Sequence, residues 1–189
     1  MNARVPLAAC LALLAGCAVA PAWREDVAAA LASARTEPRE VVVYFALRGR
    51  EASDRMERSL QEPAVVTALA AGGFLGVIAD GAERSDLYRA WIGGGEGMGI
   101  AVLDAGGRCY AARPGPQDPP ELVAFLARCV QARPDVQAMR ARTEPLTAPT
   151  DQHWFGCLLL ELGCRVESEP LLRQAAAAGV ADAHHRLAR

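Results

Sequence analysis

The chain has 189 residues, 52% of them hydrophobic, which is enough for a substantial core but short for two full-sized domains. All 20 basic residues are arginine, 22 residues are acidic, and the formal net charge is −2 with both signs mixed along the chain. No basic tract is present, so an electrostatic footprint for nucleic acid is excluded.

The N-terminal stretch MNARVPLAACLALLAGC has Arg4 as its one charged side chain, followed by an apolar run from Val5 to Ala15. That run suits a signal-peptide core and is too short to span a bilayer comfortably. It ends in Leu14-Ala15-Gly16-Cys17, which resembles a bacterial lipobox, whose cysteine is acylated and becomes the mature N-terminus. Cleavage after Ala20 or Ala22 is the alternative, and Pro21 argues against the first of these. Ala18 rather than aspartate after Cys17 implies, by the same resemblance, a lipid anchor in the outer membrane facing the periplasm. Residues 1–17 are therefore expected to be a signal peptide closed by the lipidated cysteine.

Helical periodicity is predicted from Trp23 to Arg35, with Trp23, Val27 and Leu31 on one face, and Thr36-Glu37-Pro38 breaks it. Val41 to Phe45 is a continuous β-branched and aromatic run, as expected of a strand covered on both faces. Helices follow over Glu51–Leu60 and Pro63–Ala71, the second opened by a proline in its first turn. Phe74–Ala79 reads as a strand ending at Asp80, and Ser85–Ile92 as a helix. Ile100–Leu103 and Cys109–Ala112 form a hairpin around Asp104-Ala105-Gly106-Gly107, before a helix over Pro119–Ala132. A strand–helix–strand unit followed by a hairpin predicts a parallel pair with antiparallel edge strands.

These pieces in this order resemble an exported thioredoxin-like domain. They are the Trp23 segment, the strand VVVYF, Met56-Glu57, Glu62-Pro63-Ala64-Val65-Val66, the strand ending at Asp80, and the IAVLDAGGR hairpin. The resemblance covers about residues 23–132. It implies an α/β fold, a thioredoxin-like sandwich with a central mixed sheet and helices on both faces, plus a small all-α C-terminal extension. In that family the loop after the first strand holds Cys-x-x-Cys, and counting from Phe45 to Met56 puts those positions at Arg50 and Ser53. A thiolate there is stabilised by the unpaired N–H groups and dipole of a helix N-terminus. Arginine is no nucleophile, and an unactivated serine does not exchange disulfides. The family's facing proline, usually cis, falls at Met98, or at Gly99 if the register slips by one. A trans peptide is expected there, since a cis bond at a non-proline residue costs about 2.5–4 kcal/mol. The resemblance thus implies a retained fold without dithiol catalysis and without a cofactor: a binding or scaffold module rather than an enzyme. Ser53 or Asp54 is expected to cap the helix while Arg48, Arg50 and Arg55 stay solvated. The glycine run from Gly93 to Gly99 lacks the lysine and Ser/Thr of a phosphate loop and reads as a flexible loop.

Four cysteines lie beyond the signal: Cys109, Cys129, Cys157 and Cys164. An even number in an oxidising compartment allows disulfides among them, with three connectivities and the pairing itself left open. Thiol–disulfide or redox-responsive chemistry through these four is the competing function. In one continuous helix Cys157 and Cys164 would be roughly 10 Å apart, beyond disulfide reach, although Gly163 can end that helix. Residues 133–152 read as a short helix, Asp135–Arg142, and a linker. Residues 153–189 read as two helices separated by Gly163-Cys164-Arg165 and a third after Gly179. The stretch LLRQAAAAGVADAHHRLA resembles Sel1-like and tetratricopeptide repeats, which implies a protein partner, unidentified, for these helices. One repeat buries its own face poorly, so it is expected to pack on the preceding domain or on a partner. His153 and Cys157 share a helical face, with Cys164, His184 and His185 nearby in sequence. No standard metal spacing is present, so the cysteines read as core residues and no metal site is expected.

Overall fold

The computed structural model describes residues 23–95, 97–142 and 146–188. The proposed lipidation cysteine, Cys17, and the signal segment lie outside them. The described elements, in order, are α1 (Val27–Thr36), β1 (Val41–Ala46), α2 (Glu51–Gln61), α3 (Pro63–Ala71), β2 (Leu75–Asp80) and α4 (Ser85–Trp91). They continue with β3 (Gly99–Leu103), β4 (Cys109–Pro114), α5 (Pro119–Arg140), α6 (Pro149–Glu161), α7 (Arg165–Ala177) and α8 (Ala181–Leu187). The protein is a mixed α/β structure. Its four strands form one sheet in the order β2-β1-β3-β4. β1 and β2 are parallel; β3 runs antiparallel to β1, and β4 antiparallel to β3. Every residue of β1 is buried, so both faces of the sheet are covered, as its unbroken apolar run predicts.

Three local expectations are corrected. Trp23 is not helical: Arg24 donates its N–H to the Gly76 carbonyl (3.0 Å) and accepts from Ile78 (2.8 Å), so the segment runs beside β2. The indole lies over Gly76, where an added Cβ would fall 2.8 Å from the ring. The helix begins only at Val27, because Asp26 caps it by accepting from the Ala29 N–H. Next, Pro119–Arg140 is one helix rather than two, with Pro134 inside it. A proline removes the donor to the carbonyl four residues back. Here that residue is Val130, which is exposed, so water can serve the freed carbonyl. Pro170 inside α7 follows the same rule, with exposed Val166 as its partner. Lastly, α6 starts at Pro149, inside the stretch expected to be linker.

The helical tail packs on the sheet. Strand β4 is an edge, and unpaired edges invite association. The Ala112 N–H donates to the Leu162 carbonyl (3.1 Å), so the α6–α7 turn covers that edge. Gly163 makes this approach feasible: its φ is +82°, and a Cβ there would fall 2.2 Å from the Ala112 oxygen. Arg140 fastens the same junction from the end of α5. It reaches Asp104 Oδ2 (2.5 Å), the carbonyls of Arg108 (3.0 Å) and Cys109 (2.7 Å), and Glu167 Oε2 on α7 (2.6 Å).

Candidate functional site

The corner between β1 and α2 begins with chain geometry. Phe45 and Ala46 end a buried strand, Gly49 turns the chain at a φ of +76°, and α2 starts at Glu51. Arg50 is the helix N-cap, and its exposed side chain makes no capping bond. Neither Ser53 nor Asp54 caps the helix, a departure from expectation. The Ser53 hydroxyl is turned inward by burial, with 1% of the residue exposed. Its Oγ lies 2.8 Å from the Tyr44 phenol and accepts the Leu47 N–H at 3.0 Å. Tyr44 Oη also lies 3.3 Å from the Ser53 carbonyl. Burial pushes the Tyr44 phenol up to about 12, against the Ser53 hydrogen bond and with help from Glu57 and Asp54. A serine nucleophile needs an adjacent base. Ser53 bonds a phenol and a backbone amide instead, so this corner is a closed polar plug.

The segment facing it is Gly97-Met98-Gly99. The pairing of Phe45 with Gly99 sets Met98 beside the end of β1. Met98 is buried, its peptide is trans, and its carbonyl accepts from Gly115 (2.8 Å) and from the Tyr88 hydroxyl (3.3 Å). A Cβ on Gly81 would fall 1.9 Å from the Gly97 oxygen, so the glycines here permit backbone to lie on backbone. Arg48 pairs with Asp80 (3.2 Å), whose other oxygen accepts from Ala82 and Glu83.

The four described cysteines are free thiols. Cys109 and Cys164, 55 residues apart in sequence, meet where the tail docks: the Cys164 thiol donates to the Cys109 carbonyl at 3.6 Å, and the Cys109 thiol lies 3.5 Å from the Trp91 carbonyl and 3.4 Å from that of Ala111. The neighbouring Cys164 thiol and burial raise the Cys109 thiol well above its ordinary value, while the Cys109 neighbour holds Cys164 below its own. Cys129 is fully buried in α5, and burial pushes its thiol up to about 12. Cys157 is half-buried, and burial raises its thiol against the pull of Arg186.

Cys157 also belongs to a cluster, centred on His153, that the sequence did not reveal. His153 Nε2 lies 3.4 Å from Cys157 Sγ, one turn away on α6, and 3.1 Å from Asp182 Oδ2 on α8. The shared face of His153 and Cys157 was legible from their spacing. Asp182 was not, because only the fold of α8 back onto α6 delivers it. Cys164, His184 and His185 are not part of the cluster. Between β4 and the α6–α7 hairpin runs a cleft of about 700 Å³, ringed by Arg113, Arg165, Arg173, Glu161 and Glu169. No described helix is long and apolar enough to cross a membrane.

A scan against protein-family models and a search of curated proteins found no match to this chain.

Proposed function

We propose that this chain is a lipid-anchored, periplasm-facing protein of thioredoxin-like fold that has lost dithiol catalysis and acts by binding or scaffolding. The observation that carries the reading is Ser53. At the strand-to-helix corner where such a fold keeps its sulfur, a buried hydroxyl is bonded to Tyr44 and the Leu47 amide, and Arg50 points to solvent. The strand order β2-β1-β3-β4, with β1 and β2 parallel and β3 reversed, supports the fold assignment. The charged cleft between β4 and the tail supports a protein partner at the C-terminal helices. The anchor rests on the lipobox-like Leu14-Ala15-Gly16-Cys17.

A disulfide-reduction assay on the full chain is expected to give no turnover. Capture of an envelope protein is expected to weaken in Arg165→Glu and Arg173→Glu. Turnover that vanishes with one cysteine would overturn the binding reading. Membrane fractionation that survives Cys17→Ala would remove the anchor.

One observation favours the competing redox reading: the Cys164 thiol lies against Cys109, 3.6 Å from its carbonyl. Two thiols there can pass two electrons and two protons to a disulfide-bearing substrate and close a bond between β4 and the α6–α7 turn. Both are buried, at 2% and 0% exposure, which shields them from such a substrate and makes this the weaker reading.

A further inference from the structure

His153, Cys157 and Asp182 present three lone-pair donors to one point. The ligand atoms all lie within 4.8 Å of one another, with Nε2–Oδ2 at 3.1 Å and Nε2–Sγ at 3.4 Å. The same ring nitrogen faces both partners, which excludes a Cys–His–Asp nucleophile, whose acid must hold the other nitrogen. One nitrogen carries at most one proton. Unprotonated, Nε2 can accept from the thiol but then faces a carboxylate oxygen across lone pairs; protonated, it can serve the carboxylate but no longer accepts the thiol proton. A cation between the three atoms gives every lone pair a partner.

We infer that His153, Cys157 and Asp182 form a binding site for a borderline-soft divalent cation of the zinc class. Zn–N of about 2.0 Å and Zn–S of about 2.3 Å at tetrahedral angles set ligand atoms roughly 3.3–3.6 Å apart, within a few tenths of an ångström of the two separations that Nε2 makes here, and the exposed Asp182 side chain can rotate to set its carboxylate against Sγ, which now lies within 4.8 Å of it. Thiolate and imidazole favour such an ion over magnesium or calcium, which prefer oxygen. Binding exchanges the Cys157 thiol proton for a sulfur–metal bond and releases that proton to solvent. Three protein ligands leave a fourth position, which opens on the half-exposed Asp182 side and takes water. The ion would clip α8 to α6. One group opposes it: Arg186 Nε lies 3.4 Å from the same Asp182 oxygen. Arg186 is partly exposed and can swing into water, so it weakens the site without closing it.

The test uses the full chain, stripped with a chelator and titrated with Co(II), then competed with Zn(II). One equivalent of cobalt is expected to produce a thiolate-to-cobalt charge-transfer band, which Zn(II) abolishes. Cys157→Ser is expected to lose the band. Asp182→Asn, nearly isosteric and at an exposed position, folds as the parent does by circular dichroism and is expected to weaken affinity by about tenfold or more. Arg186→Gln is expected to tighten binding. No band in the parent chain, a band retained in Cys157→Ser, or unchanged affinity in Asp182→Asn would each overturn the assignment.

Discussion

Replacing Arg140 with alanine removes the fastening between sheet and tail. The guanidinium is nearly buried, with 6% of its side chain exposed, and donates to two carboxylates and two carbonyls. Breaking a buried pair by deleting one partner costs about 3–5 kcal/mol, because the other charge stays behind. The partners left here are unequal. Glu167 is 34% exposed and rehydrates readily, while Asp104 is 14% exposed but keeps the Arg108 N–H (2.9 Å) and the Arg108 guanidinium (3.2 Å). The expected loss therefore falls at the low end, about 3 kcal/mol. That is a large fraction of a typical stability of about 5–15 kcal/mol. At roughly 2–4 °C per kcal/mol for a chain of this size, Tm should fall by about 6–12 °C. Urea denaturation followed by circular dichroism measures it. Arg173→Ala is the control: its bridge to Glu169 is exposed on both sides, and its loss should stay within about 0.5 kcal/mol. Limited proteolysis should cut the α6–α8 segment of Arg140→Ala faster than that of the parent chain. A loss below about 1 kcal/mol in Arg140→Ala, or parity with Arg173→Ala, would refute the view that this arginine fastens the tail.

Further outcomes follow from the same structure. Burial raises the Asp104 carboxyl, but the Arg108 N–H and Arg140 outweigh it and hold it below its ordinary value. Its folded pKa being depressed, the stability it contributes is present above about pH 4 and is lost as pH falls through the lower folded value. Asp104→Asn should flatten that acid limb in denaturant titrations, although the raised Glu167 acts with opposite sign. Ser53→Ala takes the acceptor from the Leu47 amide and one of two partners from the Tyr44 phenol, which keeps the Ser53 carbonyl, and should cost about 1–3 kcal/mol, which chemical denaturation measures. The double variant Arg50→Cys, Ser53→Cys should form an intramolecular disulfide with oxidised glutathione; free thiols at equilibrium would contradict the reading of that corner as a vacated dithiol site. Among Cys109, Cys129, Cys157 and Cys164, native alkylation followed by peptide mass mapping should modify Cys157 first, since the other three are buried.

Much of the sheet was legible because its signals are local. A β-branched run from Val41 reads as a buried strand whatever surrounds it, and Asp104-Ala105-Gly106-Gly107 reads as a turn from its own chemistry. Trp23 was misread because helical spacing also fits an extended segment whose one large ring covers a glycine. Pro134 was misread because a proline ends a helix only when the freed carbonyl of Val130 has no water to take its donor's place.

Composition and order along the chain by themselves settled the α/β class, the hairpin, and the lack of sulfur at Arg50 and Ser53, since each needs only residues close in sequence. The tertiary structure alone decided which distant groups meet: Cys109 with Cys164, Arg140 with Glu167, and Asp182 with His153 and Cys157. Those meetings depend on how the α6–α8 helices lie against β4 and one another, and docking angles arise from the packing of whole faces rather than from any short pattern.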